Sequence, residues 1–194
     1  MRHVFINVGA GKGSDIDGFL KIDPSYSNWE IFAFECNPEL IKTISEKYPD
    51  IQLIPLAAST VDQSSKLYLG NSYVNSSLIS SKINVSEERY LEVGTINISK
   101  WLMDNFKKED YIILTLDIEG AEYPVIEKMI NDDSLDFIDE LYIEFHGKKI
   151  PDITLEYEES LVNYLIRRFK DKVYIYEYHN HEQFIKLNQE AIKR

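Results

Sequence analysis

Acidic and imidazole side chains in the second half of the chain have the types and spacing needed for proton transfer. Asp117 and Glu119 follow one apolar run, and Glu144 and His146 close the next. Residues two apart in a strand share one face, so Glu144 and His146 should project together beside Asp117. Histidine is the side chain whose ordinary pKa suits proton transfer near neutral pH. We expect His146 to be the catalytic base, with Asp117 or Glu144 orienting its ring.

Two other interpretations of these side chains stay open. Asp117, Glu144 and His146 could instead bind Mg²⁺ or Mn²⁺, which would lower the pKa of an acceptor hydroxyl. The acids could also cap the helix that follows them, and His146 could be a hydrogen-bonded structural residue.

A glycine-rich segment near the start of the chain predicts a close approach of the backbone to a ligand. Gly9, Gly11 and Gly13 follow the first apolar run, where glycine permits a sharp turn before a helix. Their spacing is not G-x-G-x-x-G, and no Gly-Lys-Ser/Thr sequence follows, so the phosphate-loop interpretation fails. Glu35 closes the second apolar run about 20 residues later, where doubly wound nucleotide sites place an acid on the ribose. Together these features predict a ribose-containing ligand, although each alone could be a tight turn or a solvated strand end.

Strand-length apolar runs alternate with segments of helical spacing, which predicts an α/β fold with a doubly wound parallel sheet. The predicted strands are residues 3–8, 31–35, 51–56, 111–117 and 141–145, and the predicted helices are 15–21, 38–47, 98–106, 121–131 and 155–169. The β-rich runs 172–178 and 183–187 are separated by four residues, which allows an antiparallel hairpin but no parallel crossover. Such a hairpin is not part of the all-parallel dehydrogenase sheet.

Residues 59–94 are the least regular part of the chain, with many Ser and Asn residues and one strand-like run at 66–69. Long segments of this kind inside a domain are often functional, so we expect a substrate-side insertion in a single domain spanning 1–194.

Composition narrows the classes of partner and compartment. The 194 residues include 21 Lys and Arg against 33 Asp and Glu, a net charge of -12 that repels phosphate backbones. Nucleic acid is therefore not an expected partner. Cys36 is the only cysteine and cannot form an internal disulfide, and no apolar stretch is long enough for a membrane span. These features predict a cytoplasmic protein.

The sequence resembles the FkbM-type S-adenosylmethionine-dependent methyltransferases. The resemblance rests on FINVGAG at 5–11, AFECNP at 33–38, LAAS at 56–59, LDIEGAE at 116–122 and IEFH at 143–146, in the family's order. It implies a Rossmann-like, seven-stranded class I methyltransferase sheet, mostly parallel, with a C-terminal antiparallel hairpin. Family members usually carry helical sequence before the first strand, whereas this chain enters that strand almost at once. This early start suggests that the chain is a module of a longer polypeptide, in which glycosyltransferase domains could be its neighbours.

The resemblance also implies roles for individual residues. Gly9, Ala10, Gly11 and Gly13 would contact the methionine part of S-adenosylmethionine, Glu35 the ribose, Cys36 and Asn37 the adenine edge, Ala58 the adenine through its backbone, Asp117 the methionine amino group or the acceptor, and Ser76 and Ser77 would lie near the cofactor. The implied acceptor is a hydroxyl of a sugar, a glycan or another small molecule. Two alternatives are a nucleotide-dependent oxidoreductase on the same sheet and a non-catalytic interaction domain.

Overall fold

A computed structural model of the chain describes residues 1–22 and 24–176. Its nine strands are β1 His3–Val8, β2 Glu30–Phe34, β3 Gln52–Ile54, β4 Ala57–Ser59, β5 Gln63–Gly70, β6 Val85–Asn97, β7 Tyr111–Leu116, β8 Glu140–Glu144 and β9 Val173–Tyr176, all counted within the described ranges. The α-helices within the described ranges are α1 Ser14–Ile22, α2 Pro38–Lys47, α3 Ile98–Asn105, α4 Glu122–Asn131 and α5 Leu155–Phe169.

The main sheet has the order β3-β2-β1-β7-β8-β9, and each pairing in it is parallel. The predicted α/β fold with a mostly parallel sheet is therefore confirmed. The strand count differs, because the described residues give this sheet six strands where seven were expected. The first run of the predicted hairpin forms β9, which pairs parallel with β8, while the second run, 183–187, lies outside the described residues.

Burial on both faces explains why the central strands are almost continuously apolar. Residues after His3 in β1 are all buried, as are those after Tyr111 in β7. One face packs against α3, α4 and α5, and the other packs against α1 and α2. On the second face the Phe5 and Phe19 rings stack with their centroids 4.0 Å apart. Parallel strands need such cover on both sides.

Residues 59–94 are more regular than the sequence predicts. Here β5 and β6 form an antiparallel hairpin, and β4 adds to it in parallel to make a separate three-stranded sheet. Strand β6 could not be predicted from the apolar pattern. Residues 87–90 in its middle are exposed, so this part of the strand has no alternating apolar face. Backbone pairing with β5 defines the strand instead.

Candidate active site

The glycine turn after β1 brings the ends of three strands together. The amides of Gly9 and Ala10 donate to the Phe34 carbonyl at 3.1 and 2.9 Å, so the turn crosses the end of β2. Gly9 has a φ of 83°, and a Cβ atom there would lie 1.7 Å from the Asp117 carbonyl oxygen. Only glycine allows β1 and β7 to approach so closely at this edge.

Glu35 ties the glycine turn to the end of β2. Its carboxylate accepts hydrogen bonds from the amides of Gly11 at 2.9 Å, Cys36 at 2.8 Å and Asn37 at 2.8 Å. Burial raises the pKa of this carboxyl group, while the three amides act in the opposite direction. The three backbone donors hold the Glu35 carboxylate in place at the carboxyl end of β2, where folds of this kind bind a ribose.

A cavity of about 390 Å³ opens above these strand ends, a size typical of small-molecule sites. Its walls include nearly every residue to which the family resemblance assigns a cofactor contact: Gly9, Ala10, Gly11, Glu35, Cys36, Asn37, Ala58, Ser76, Ser77 and Asp117. Gly13 is the exception and does not line the cavity. Its carbonyl accepts a hydrogen bond from the Tyr48 hydroxyl at 2.8 Å. Asn37 is buried, and its Nδ2 has no hydrogen-bond partner among the described residues, which leaves a donor available to a ligand.

His146 is buried among four carboxylates, behind Asp117 and Glu119, which line the cavity. Its Nδ1 lies 3.0 Å from Glu122 Oε1, and its Nε2 lies 3.3, 3.4 and 3.7 Å from carboxylate oxygens of Glu144, Glu119 and Asp117. Glu122 also accepts hydrogen bonds from the amides of Gly120 and His146 at 2.7 and 2.8 Å. The structure therefore brings Asp117, Glu144 and His146 together, as predicted, and it places Glu119 and Glu122 beside them.

The cluster sets the protonation of its members. Burial opposes the charge on His146, but hydrogen bonds to Glu122 and Glu144 outweigh it and raise the pKa of the imidazole to about 10. Burial, followed by repulsion from Glu144, raises the pKa of Asp117 to about 7. The hydrogen bond from His146 lowers the pKa of Glu144. Both shifts follow from the packing of four acids around one imidazole: the charged form of His146 is stabilised and that of Asp117 is destabilised.

Lys82 also belongs to the cluster, although no sequence pattern pointed to it. Its side chain is fully buried, pairs with the Glu119 carboxylate and donates to the Asn75 carbonyl at 3.0 Å. The Ser77 hydroxyl donates to the Glu119 carbonyl at 2.7 Å. Residues 71–84, between β5 and β6, are therefore fastened to the turn that follows β7. Only the tertiary structure could reveal this contact, because Lys82 and Glu119 are distant in sequence.

Asp117, Glu119 and His146 could hold a divalent cation, since one ligand atom from each lies within 4.8 Å of the others. The sequence suggested Glu144 in place of Glu119, and both carboxylates lie at similar distances from His146 Nε2. A cation at this position would have to displace the proton of His146 and the ammonium group of Lys82 from Glu119.

An open parallel sheet with a glycine turn after β1, an acid closing β2 and a cavity at the carboxyl ends of the strands is the arrangement typical of α/β proteins that bind a nucleoside-containing cofactor. A family model, the methyltransferase FkbM domain, matches residues 7–188. The chain therefore belongs to the FkbM methyltransferase family, which supports a methyltransferase rather than an oxidoreductase.

No curated protein matches the chain significantly. Within residues 1–22 and 24–176, none of the helices combines the length and the apolar character needed to cross a bilayer.

Proposed function

We propose that this chain is an S-adenosylmethionine-dependent O-methyltransferase acting on a hydroxyl of a sugar or glycan. The observation that supports it best is the continuity between cavity and cluster. Asp117 and Glu119 line the 390 Å³ cavity and also face His146. A cofactor in the cavity would therefore lie next to ionisable groups that can handle the proton of an acceptor.

The residues around the cavity fit the cofactor. When bound, S-adenosylmethionine supplies a methyl group on a positively charged sulfur. Glu35 would accept hydrogen bonds from its ribose, the free Asn37 Nδ2 would donate to its adenine, and the Gly9–Gly11 backbone would pass along its methionine part. The acids of the cluster outnumber His146 and Lys82, so their surplus negative charge favours a cationic ligand.

Asp117 is the group we assign to the acceptor's proton. An alkyl hydroxyl is a poor nucleophile until a base accepts its proton, and such a base accelerates transfer by roughly 10²- to 10⁴-fold. A pKa of about 7 leaves much of Asp117 ionised at neutral pH, while its protonated form is also stable. His146, with its pKa raised to about 10, would instead stay charged and hold the surrounding acids in place. The earlier expectation that His146 is the base remains the alternative.

Cofactor affinity tests the proposal directly. Isothermal calorimetry with S-adenosylhomocysteine should show binding to the wild-type chain and at least about tenfold weaker binding to Glu35→Ala. A charged hydrogen bond contributes roughly 1.5–3 kcal/mol, and Glu35 is expected to bond the ribose while it also shapes the glycine turn.

Glu46→Ala provides the matched control, because Glu46 is exposed on α2 and does not line the cavity. NAD should not bind any of these proteins. Binding of NAD without binding of S-adenosylhomocysteine would overturn the proposed function.

A further inference from the structure

A second cavity, of about 470 Å³, lies between helix α1 and strands β7, β8 and β9 of the main sheet. It shares Ser14, Asp15 and Asp117 with the cofactor cavity. Of these three residues, Asp117 is the one that also faces His146. Methyl transfer requires donor and acceptor to meet in line, so a second space that meets the first at Ser14, Asp15 and Asp117 is suitably placed for an acceptor.

The lining of this groove combines two kinds of side chain. Four are carboxylic acids, namely Asp15, Asp117, Glu140 and Glu144, and five are aromatic, namely Phe5, Phe19, Tyr26, Tyr142 and Tyr176. Among the described residues that line it, none is Lys or Arg. Carboxylates accept hydrogen bonds from hydroxyl groups, aromatic rings pack against the apolar face of a saturated ring, and a lining whose described residues include four acids and no Lys or Arg disfavours anions.

Gly18 is the observation that points to a ligand. It lies inside helix α1 and borders the groove, yet a Cβ atom at this position would meet no described atom within 4 Å. Packing therefore does not require glycine here. Glycine inside a helix lowers the stability of that helix by about 1 kcal/mol relative to alanine. Gly18 therefore keeps this space open although an alanine would make the helix more stable.

We infer that this groove is the acceptor site and that it takes an uncharged, hydroxyl-rich ring rather than a phosphorylated or nucleotide-linked sugar. The inference rests on the proposed function and adds to it the place of binding and the charge of the acceptor. Asp117 would meet the reactive hydroxyl at the junction of the two cavities, while Tyr142 and Glu144 would contact the rest of the ring.

Saturation-transfer NMR on the chain saturated with S-adenosylhomocysteine tests this assignment. The probes are methyl hexopyranosides and the corresponding hexose 1-phosphates. We expect signals from the uncharged glycosides with the wild-type chain and none from the phosphates. Equal signals from both probes, or none from the glycosides, would overturn the assignment.

Three variants locate the binding. Gly18→Phe places a ring in the open space and should reduce the glycoside signal at least tenfold, whereas Lys21→Phe, on the exposed part of the same helix, should leave it unchanged. Tyr142→Ala should also lose the signal if Gly18→Phe fails to fold. All correctly folded variants should bind S-adenosylhomocysteine within about twofold of the wild type.

The cofactor measurement separates the two possible failures. If S-adenosylhomocysteine does not bind the wild-type chain, the proposed function fails. If it binds but Gly18→Phe still takes up the glycoside, only the assignment of the groove fails.

Discussion

Four carboxylates surround the His146 ring at 3.0 to 3.7 Å, and this crowding decides which residue can exchange a proton. Closely spaced acids stabilise a cation between them and destabilise further negative charge. The surroundings therefore raise the pKa of His146, and they also raise the pKa of Asp117, which is near Glu144 and partly buried. Residue type alone favoured the histidine as base, but the surroundings favour the aspartate.

The pH dependence of methyl transfer separates these two assignments. If Asp117 accepts the proton, kcat/KM should rise with pH on a limb centred near 7, because only the ionised carboxylate can act. The measurement is a set of initial rates with a methyl hexopyranoside between pH 5 and 10. Asp117→Asn should abolish the limb, and a limb centred near 10 would assign the base to His146.

At the scale of elements, the site depends on how closely β1 and β7 approach. Gly9→Ala should destabilise the fold by about 3 kcal/mol or more and abolish cofactor binding, because its Cβ would overlap the Asp117 carbonyl and its φ is positive. Gly18→Ala is the matched substitution at an open helical position and should stabilise the fold by up to about 1 kcal/mol. Thermal or urea unfolding measures both effects. Similar stabilities for the two variants would contradict this account of the crossing.

The Lys82–Glu119 pair fastens residues 71–84 over the cofactor cavity. Lys82→Met leaves Glu119 without its ammonium partner, and breaking a buried pair from one side commonly costs about 3–5 kcal/mol. In the variant, Glu119 would still have His146 as a partner at 3.4 Å, so the expected cost is smaller than this range. We expect the free energy of unfolding to fall by at least about 2 kcal/mol.

The double variant Lys82→Met/Glu119→Gln should recover much of this loss, since it removes the unpaired charge. Lys42→Met, at an exposed position of α2, should have little effect. A double variant less stable than Lys82→Met alone would show that the pair does not act as described.

For the whole molecule, the net charge of -12 favours cationic ligands and repels anionic ones. S-adenosylmethionine carries one more positive charge than S-adenosylhomocysteine, so its affinity should fall more steeply as salt screens the protein's field. Between about 20 and 500 mM NaCl, we expect the affinity ratio of the two compounds to drop at least about twofold. Calorimetry of both ligands at each salt concentration measures it, and a constant ratio would mean that the protein's charge has no part in cofactor binding.

Local patterns in the sequence determined the sheet and the edge where the site lies. Alternating apolar strands and helices can be covered on both faces only as a parallel α/β sheet, and parallel strands place their carboxyl ends on one edge. Gly9, Glu35, Asp117 and His146 each follow or close a predicted strand, so their convergence could be foreseen. The motifs around them also led to the FkbM family.

The tertiary structure alone decided the hairpin of β5 and β6, the place of Lys82, the charge on His146 and the open groove beside Gly18. Each depends on contacts between segments far apart in the chain, or on space that no segment fills. A pKa is set by every charge and every buried surface around a group, and an empty volume is defined by its walls. Neither quantity can be read from the order of the residues, because both depend on which segments the fold brings together.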